Sequence, residues 1–361
     1  MMLQIRRSAW LLAGCAALLL ASPALAKPTL LFDVASGKVL YAEDQDDLWH
    51  PASLTKIMTA YLTFEALKTG KLSMDAKIPV SELAFSQPPS KVGLPVGAEM
   101  PVETAIQALI VKSANDVAIM LAEAIAGSQD AFVERMNATA ARLGMTRTKF
   151  VNANGLPAAE QVTTARDLAK LSRVVLAEYP QYASLWGQAD MHLGKRRLRT
   201  HNGLLKSYEG ADGLKTGFIC DSGYNVVASA TRDGHRLIAV VLGEISGHER
   251  SVRAAALLEH GFNTYDWKTM LASASVDSMP MPMDVKPAPS MRASVVSWDC
   301  NGRHRPVAKR RQTKLQAARA AAKKARTEAA AKTKVKTAEH KAPEKAPKPA
   351  PAKAPASAKA N

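Results

Sequence analysis

Between Thr29 and Glu43 apolar and polar positions alternate about Ala35-Ser36-Gly37-Lys38, with Leu31, Val39 and Tyr41 among the strand positions, which predicts a hairpin. The same period of two returns more strongly over residues 225–242, where two apolar runs flank Arg232-Asp233-Gly234 and the Asp-Gly pair marks a tight turn. Elsewhere the period lengthens. Apolar residues recur at helical spacing over Leu54–Leu67, Val102–Val111, Asp116–Ile125, Asp130–Leu143, Ala165–Ala177 and Glu249–His260, the first read as amphipathic and the last stopping at Gly261. Strands therefore lie at both ends of the patterned region, with helices between. An α+β domain follows: an antiparallel sheet built from the terminal segments, with a helical subdomain beside it.

Composition changes along the chain and divides it. Residues 1–26 carry Arg6 and Arg7, an apolar run from Trp10 to Leu20 and a small-residue end at Ala24-Leu-Ala26, the pattern of a secretory signal peptide. Residues 27–266 hold the patterned elements and are long enough for one large hydrophobic core. Residues 267–300 turn to Met-Pro and Lys-Pro-Ala-Pro and read as a linker. Residues 301–361 contain 18 Lys/Arg against three Glu and read as a disordered basic tail. The whole chain carries +16, so the tail accounts for nearly all of it and the patterned domain is close to neutral. Export makes nucleic acid a poor partner for that tail. It is either a solvated spacer or an adhesive for an anionic envelope surface outside the cytoplasm.

Two cysteines, Cys220 and Cys300, remain beyond the signal. They allow one bridge in an oxidising compartment but no disulfide framework. No His/Cys/Asp cluster has the spacing of metal ligands, and the chemistry below calls for no metal or cofactor.

Three motifs occur in one order: Ser53-Leu-Thr-Lys56, Ser113-Ala-Asn115 and Lys215-Thr216-Gly217. Ser53 falls at the start of a helix, where free N–H groups and the positive end of the dipole favour a developing oxyanion. Lys56, three residues on, shares its face. A serine hydroxyl needs a base, and a lysine serves only if burial or a neighbouring cation lowers its pKa, a part Lys215 could play. Ser113 and Asn115 sit in a short connection between helices. Lys215-Thr216-Gly217 lies on a strand edge, where a cation, a hydroxyl and a close-approach glycine suit an extended peptide with a terminal carboxylate. Each motif alone also fits a capping serine, a turn or a surface lysine. Their order carries the reading.

With these motifs, and with Asn152-Ala-Asn-Gly-Leu-Pro, Thr163-Thr-Ala-Arg-Asp, His201-Asn-Gly-Leu-Leu and Gly223-Tyr-Asn-Val-Val-Ala, the chain resembles the D-alanyl-D-alanine carboxypeptidases over about residues 29–266. These are low-molecular-mass penicillin-binding proteins of the S11 serine peptidase type. The resemblance implies a β-lactamase/transpeptidase-like fold, peptidoglycan stem peptides as substrate and β-lactam antibiotics as covalent inhibitors. It makes Ser53 the nucleophile, Lys56 its base, Ser113 a proton relay and Asn115 a contact to the substrate backbone. Lys215, Thr216 and Arg250 would meet the terminal carboxylate. The N–H groups of Ser53 and Phe218, next to Gly217, would hold the oxyanion.

Departures from the family pattern stand beside the likeness. Phe218 occupies a position where many relatives have His. Residues 267–300 are too short and Pro-rich for the second β domain that many relatives carry, and residues 351–361 cannot form an amphipathic anchor. Cys220 is read as a small buried strand residue. A serine β-lactamase shares the acylation groups, but no Glu-x-x-Leu-Asn setting is found. A non-catalytic wall-binding protein is the remaining alternative.

Overall fold

A computed structural model of the protein describes residues 27–297 and Cys300. The export signal read at 1–26 and the basic tail read at 301–361 lie outside the described residues. Thr29–Asp33 (β1) and Val39–Glu43 (β2) form the first hairpin where the alternation places it. A 3₁₀ turn, Ala52–Thr55, leads into Lys56–Lys68 (α1). The amphipathic reading of this helix is corrected. Ten of its 13 residues are buried, on every side, as befits a helix running through the middle of a core.

Lys77–Pro79 (β3) and Glu99–Pro101 (β4) make a small ribbon around Glu82–Ser86 (α2). Three-residue strands are too short to display a period, so alternation does not reveal them. The helical run predicted from Val102 is Val102–Gln107 (α3) followed by a π-helical turn, Ala108–Lys112. Asn115–Ala126 (α4), Gln129–Arg142 (α5) and Ala165–Glu178 (α6) follow. Ser128 and Thr164 cap the last two by accepting from the N–H groups of Ala131 and Asp167. Ala183–Trp186 (α7), a second small hairpin of Asp190–Leu193 (β5) and Arg196–Arg199 (β6), and Leu204–Ser207 (α8) complete the helical subdomain.

The chain then returns to the sheet as Ala211–Ile219 (β7), Gly223–Arg232 (β8) and His235–Glu244 (β9). The order is β2-β1-β9-β8-β7, antiparallel throughout, so the two ends of the domain close one sheet as the distribution of elements predicts. Both faces are covered. Leu30, Phe32, Val227, Ile238 and Val240 point toward the helical subdomain, while Leu31, Ala228, Leu237 and Ala239 meet Gly247–Asn263 (α9) on the other side. This explains the near-continuous apolar runs of β8 and β9.

Gly261 does not stop α9, which continues to Asn263. A Cβ at Gly261 would lie 2.7 Å from Leu237 Cδ1 and 2.9 Å from Leu31 Cδ2, so the glycine lets the helix lie close on the sheet. Tyr265–Leu271 (α10) is a further short helix.

Residues 272–297 lack regular helices and strands, in keeping with their prolines, but they are not a free linker. Val276 N–H donates to Gly37 O, Arg166 reaches the carbonyls of Met279 and Pro280, and Met291, Val295 and Cys300 are buried. Cys300 is disulfide-bonded to Cys220, so Cys220 is one end of a staple rather than a lone strand residue.

Candidate active site

Ser53 sits in the 3₁₀ turn that precedes α1, and Lys56 is the first residue of that helix. Their spacing of three brings Lys56 Nζ to 3.0 Å from Ser53 Oγ. Nζ also lies 2.8 Å from Asn115 Oδ1 and donates to the carbonyl of Asn154. The last two partners have no hydrogen to give on those atoms, so the amine must donate to both. A neutral Lys56 then has its two hydrogens committed and its lone pair left for the Ser53 hydroxyl. Lys56 is only 1% exposed, and burial, followed by the charge of Lys215, holds its pKa well below the usual lysine range. Asp116 opposes this in part.

The π-helical turn ends at Ser113, whose φ of 59° and ψ of 39° place it in the left-handed region. π-turns recur at functional sites because they redirect a chain within a helical run. The redirection carries the Ser113 hydroxyl across the cleft, where Lys215 Nζ donates to it at 2.9 Å. Ser113 is thus partnered with Lys215, and Asn115 with Lys56. Asn115 Nδ2 donates to Pro88 O at 2.9 Å, leaving one amide hydrogen for anything else in the cleft. Lys215 is 3% exposed, and burial, then the charge of Arg250, lowers its pKa to about 7.

Lys215, Thr216 and Gly217 lie on β7, the edge strand, as the sequence reading places them. A cavity of about 300 Å³ opens beside it. Ser53, Ser113, Asn115, Thr216, Gly217, Phe218 and Arg250 all line it, so the structure gathers every predicted site residue at or directly beneath one cleft. Arg250, on the first turn of α9, donates to the carbonyl of His201 at 3.1 Å, and burial lowers its pKa to about 10. The hydrogen-bond partners of Lys56, Lys215 and Arg250 are all neutral oxygens. Three basic groups around a cavity without a bonded carboxylate make a site suited to an anionic ligand. Phe218 stacks on Tyr224 with ring centroids 4.2 Å apart, closing one wall.

Several contributors carry no role that the sequence alone reveals. Asn154 supplies only a backbone oxygen to Lys56, which no residue type advertises. Gly155, at φ +84°, packs against the backbone just ahead of the nucleophile: a Cβ there would stand 1.9 Å from Ala52 O. Asn225 is fully buried, donating to His50 O at 3.0 Å and accepting from Gly243 N–H at 2.9 Å, and so ties β8 and β9 to the segment entering Ser53. The Asn-Ala-Asn-Gly and Gly-Tyr-Asn segments were the available signals. Among the described residues no group of three or more His, Cys, Asp or Glu is placed to hold a metal ion.

Residues 21–246 match the family model of the S11 peptidases, described as D-alanyl-D-alanine carboxypeptidase. The chain is 37% identical over 251 residues to the D-alanyl-D-alanine carboxypeptidase DacC of Escherichia coli K12, covering 68% of this chain and 63% of that protein. It is 35% identical over 246 residues to DacF of Bacillus subtilis, covering 67% and 63%. The chain thus spans about 63% of the length of these two relatives. Among solved structures, penicillin-binding protein D2 of Listeria monocytogenes in its cefotaxime-bound form superposes with a TM-score of 0.60 at 33% identity, covering 66% of this chain and 97% of that one. A matched fold, a family model spanning most of the chain and the assembled serine–lysine cleft lead to one statement: the chain belongs to the D-alanyl-D-alanine carboxypeptidase family of S11 peptidases.

Proposed function

We propose that the protein is a serine-type D-Ala-D-Ala carboxypeptidase that removes the terminal D-alanine from peptidoglycan stem pentapeptides and is trapped by penicillin as an acyl-enzyme. The observation that carries this reading is the 3.0 Å contact between Ser53 Oγ and a buried Lys56 whose other partners are two obligate acceptors.

The residues divide the work. Lys56 takes the Ser53 proton as Oγ attacks the carbonyl between the last two D-alanines. The N–H groups of Ser53 and Phe218 stabilise the oxyanion. Lys215, Thr216 and Arg250 receive the terminal carboxylate, and that anion restores the protonated state that burial disfavours in Lys215. Ser113, held by Lys215, passes a proton to the departing amine as the C–N bond breaks and D-alanine leaves. The proton that Lys56 took from Ser53 goes back to Ser113, so that Lys56 is again neutral. Asn115 offers its remaining amide hydrogen to the substrate backbone. Lys56 then takes a proton from the water that attacks the ester carbonyl and gives it to Ser53 Oγ as the ester bond breaks, and the shortened peptide leaves. The chain is exported by residues 1–26 to the periplasm or another extracytoplasmic space, and residues 301–361 hold it to an anionic envelope surface.

The test is intact-mass analysis of residues 27–361 after incubation with benzylpenicillin, alongside D-alanine release from a stem pentapeptide. A lasting penicilloyl adduct on Ser53 with D-alanine release supports the reading. Rapid penicillin hydrolysis without an adduct points to a β-lactamase. Neither reaction points to a non-catalytic wall-binding protein.

A further inference from the structure

A segment that takes no part in the acyl transfer is fastened to the turn that follows the cleft strand β7. Residues 272–297 run along the domain and are fastened at successive points. Arg166 and Arg147 donate to the carbonyls of Met279, Pro280 and Pro282. Lys286 pairs with Asp44 and Asp47 while its carbonyl accepts from Leu48 N–H. Asp221 then gathers the end of the segment: its carboxylate accepts from Ser290 Oγ at 2.6 Å and Arg292 Nη2 at 2.9 Å, and its carbonyl from Met291 N–H at 2.9 Å. Val296 N–H donates to Ile245 O, and Cys300 is bonded to Cys220.

The fastenings at Asp221 and Cys220 both land on one turn, within residues 219–223, which joins β7 to β8. This turn touches the catalytic elements by two routes. Along the chain it continues from Gly217, Phe218 and Ile219, which line the cavity. Across space, Ser222 O accepts from Trp49 Nε1 at 2.9 Å, and Trp49 stands two residues before Pro51, at the entry to the Ser53 turn. Trp49 cannot shift independently, because its ring lies against Gly243 and its backbone pairs with Thr163. A displacement of the 219–223 turn therefore changes the distance between the Phe218 N–H and Ser53 Oγ, the two groups that must meet the same carbonyl.

We propose that the strap of residues 272–297, closed by the Cys220–Cys300 bond and the Asp221–Arg292 pair, is a positioning device for acylation. It sets the edge of β7 against the nucleophile, so the domain acylates at full rate only when the strap is fastened. Cys220, Asp221 and Arg292 are positioning residues. None touches the substrate. The inference rests on the acyl-transfer reading of the cleft.

The test uses the whole exported chain in three forms: oxidised, reduced under native conditions with excess dithiothreitol, and the Cys220→Ser/Cys300→Ser variant. In the reduction each disulfide gains two electrons and two protons, and dithiothreitol closes to its cyclic disulfide. Each form is mixed with benzylpenicillin, and both the second-order rate constant and the final number of adducts per chain are read by intact mass. Small displacements of reacting groups are costly, so acylation is expected to slow on the order of tenfold with opening, at one adduct per chain and with the pH profile unmoved. Asp221→Asn should slow it several-fold, and Arg292→Lys, which keeps a donor for Asp221, should largely retain the rate. An unchanged rate constant in the reduced and Cys-free forms overturns the proposal. So does a loss of adduct stoichiometry at an unchanged rate constant, which is what a merely destabilised domain would give. Should the oxidised protein form no adduct at all, the functional reading fails instead, and the two failures are distinct.

Discussion

Replacing Gly155 by alanine perturbs the backbone of the nucleophile without altering any side chain that carries the chemistry. At φ +84° a Cβ is strained by about 1–2 kcal/mol relative to glycine. The larger effect is steric. The new carbon would stand 1.9 Å from Ala52 O, 2.4 Å from Ala52 C and 2.9 Å from Ser53 N, all backbone atoms. The Gly155 side cannot easily yield, because Gly155 N–H donates to Asn152 Oδ1 at 2.7 Å and Leu156 N–H to Asn154 Oδ1, while Asn154 O holds Lys56. The Ala52–Ser53 peptide must therefore move by roughly 1 Å, a displacement that typically costs about a hundredfold in rate. Gly127→Ala is the control: φ is +82° but nothing lies within 4 Å of its Cβ, so it carries the strain without the clash. Penicilloyl formation followed by intact mass should slow about a hundredfold in Gly155→Ala and stay unchanged in Gly127→Ala. Urea denaturation should show both less stable than the parent. Acylation by Gly155→Ala within about threefold of the parent would refute the claim that this contact sets the nucleophile.

Ser53→Ala should abolish adduct formation and D-alanine release with little change in the urea midpoint, since the lost hydroxyl leaves Lys56 two neutral acceptors. For a carboxylate-bearing peptide, kcat/KM should fall on the acid side as Lys56 is protonated and again above about pH 7 as Lys215 in the free protein loses its charge; a profile unchanged in Lys215→Met would speak against this. Folding stability should rise with pH between about 7 and the ordinary lysine value near 10.4, because the unfolded chain then binds the Lys215 proton that the folded one has released. Urea midpoints across that range read it directly. Asp46→Ala strips the buried Arg166 of the carboxylate it meets through two nitrogens and should cost about 3–5 kcal/mol by denaturant titration, with a loss under 1 kcal/mol counting against the pair. Deleting residues 301–361 should weaken retention on envelope fractions at low salt, and unchanged retention would remove the adhesive role.

What the chain determines by itself is local, because local physics has short-range signatures. Period-two alternation and an Asp-Gly turn place the β1–β2 and β8–β9 hairpins, and Ser53 and Lys56 meet because one helical turn brings residues three apart together. The order of the three motifs nominates Ser53, Lys56, Ser113, Asn115, Lys215, Thr216 and Gly217, while Phe218 and Arg250 come only with the family resemblance. Which lysine serves which partner was not legible. Lys215 meets Ser113 across 102 positions and Lys56 meets Asn115 across 59, distances in sequence that only the packing of β7 and the helical subdomain against one another can close. Asn154 acts through a carbonyl that every residue possesses, so its identity could not reveal it. Gly261 reads as a helix stop from composition and becomes a packing contact once Leu31 and Leu237 lie beneath it. The Pro-rich stretch after α10 has no pattern of its own, so its sequence reads as a linker. Its path is decided by carbonyls taken up by Arg166, by Asp221 and by a sulfur 80 residues away, partners that exist as a set only after the domain has folded.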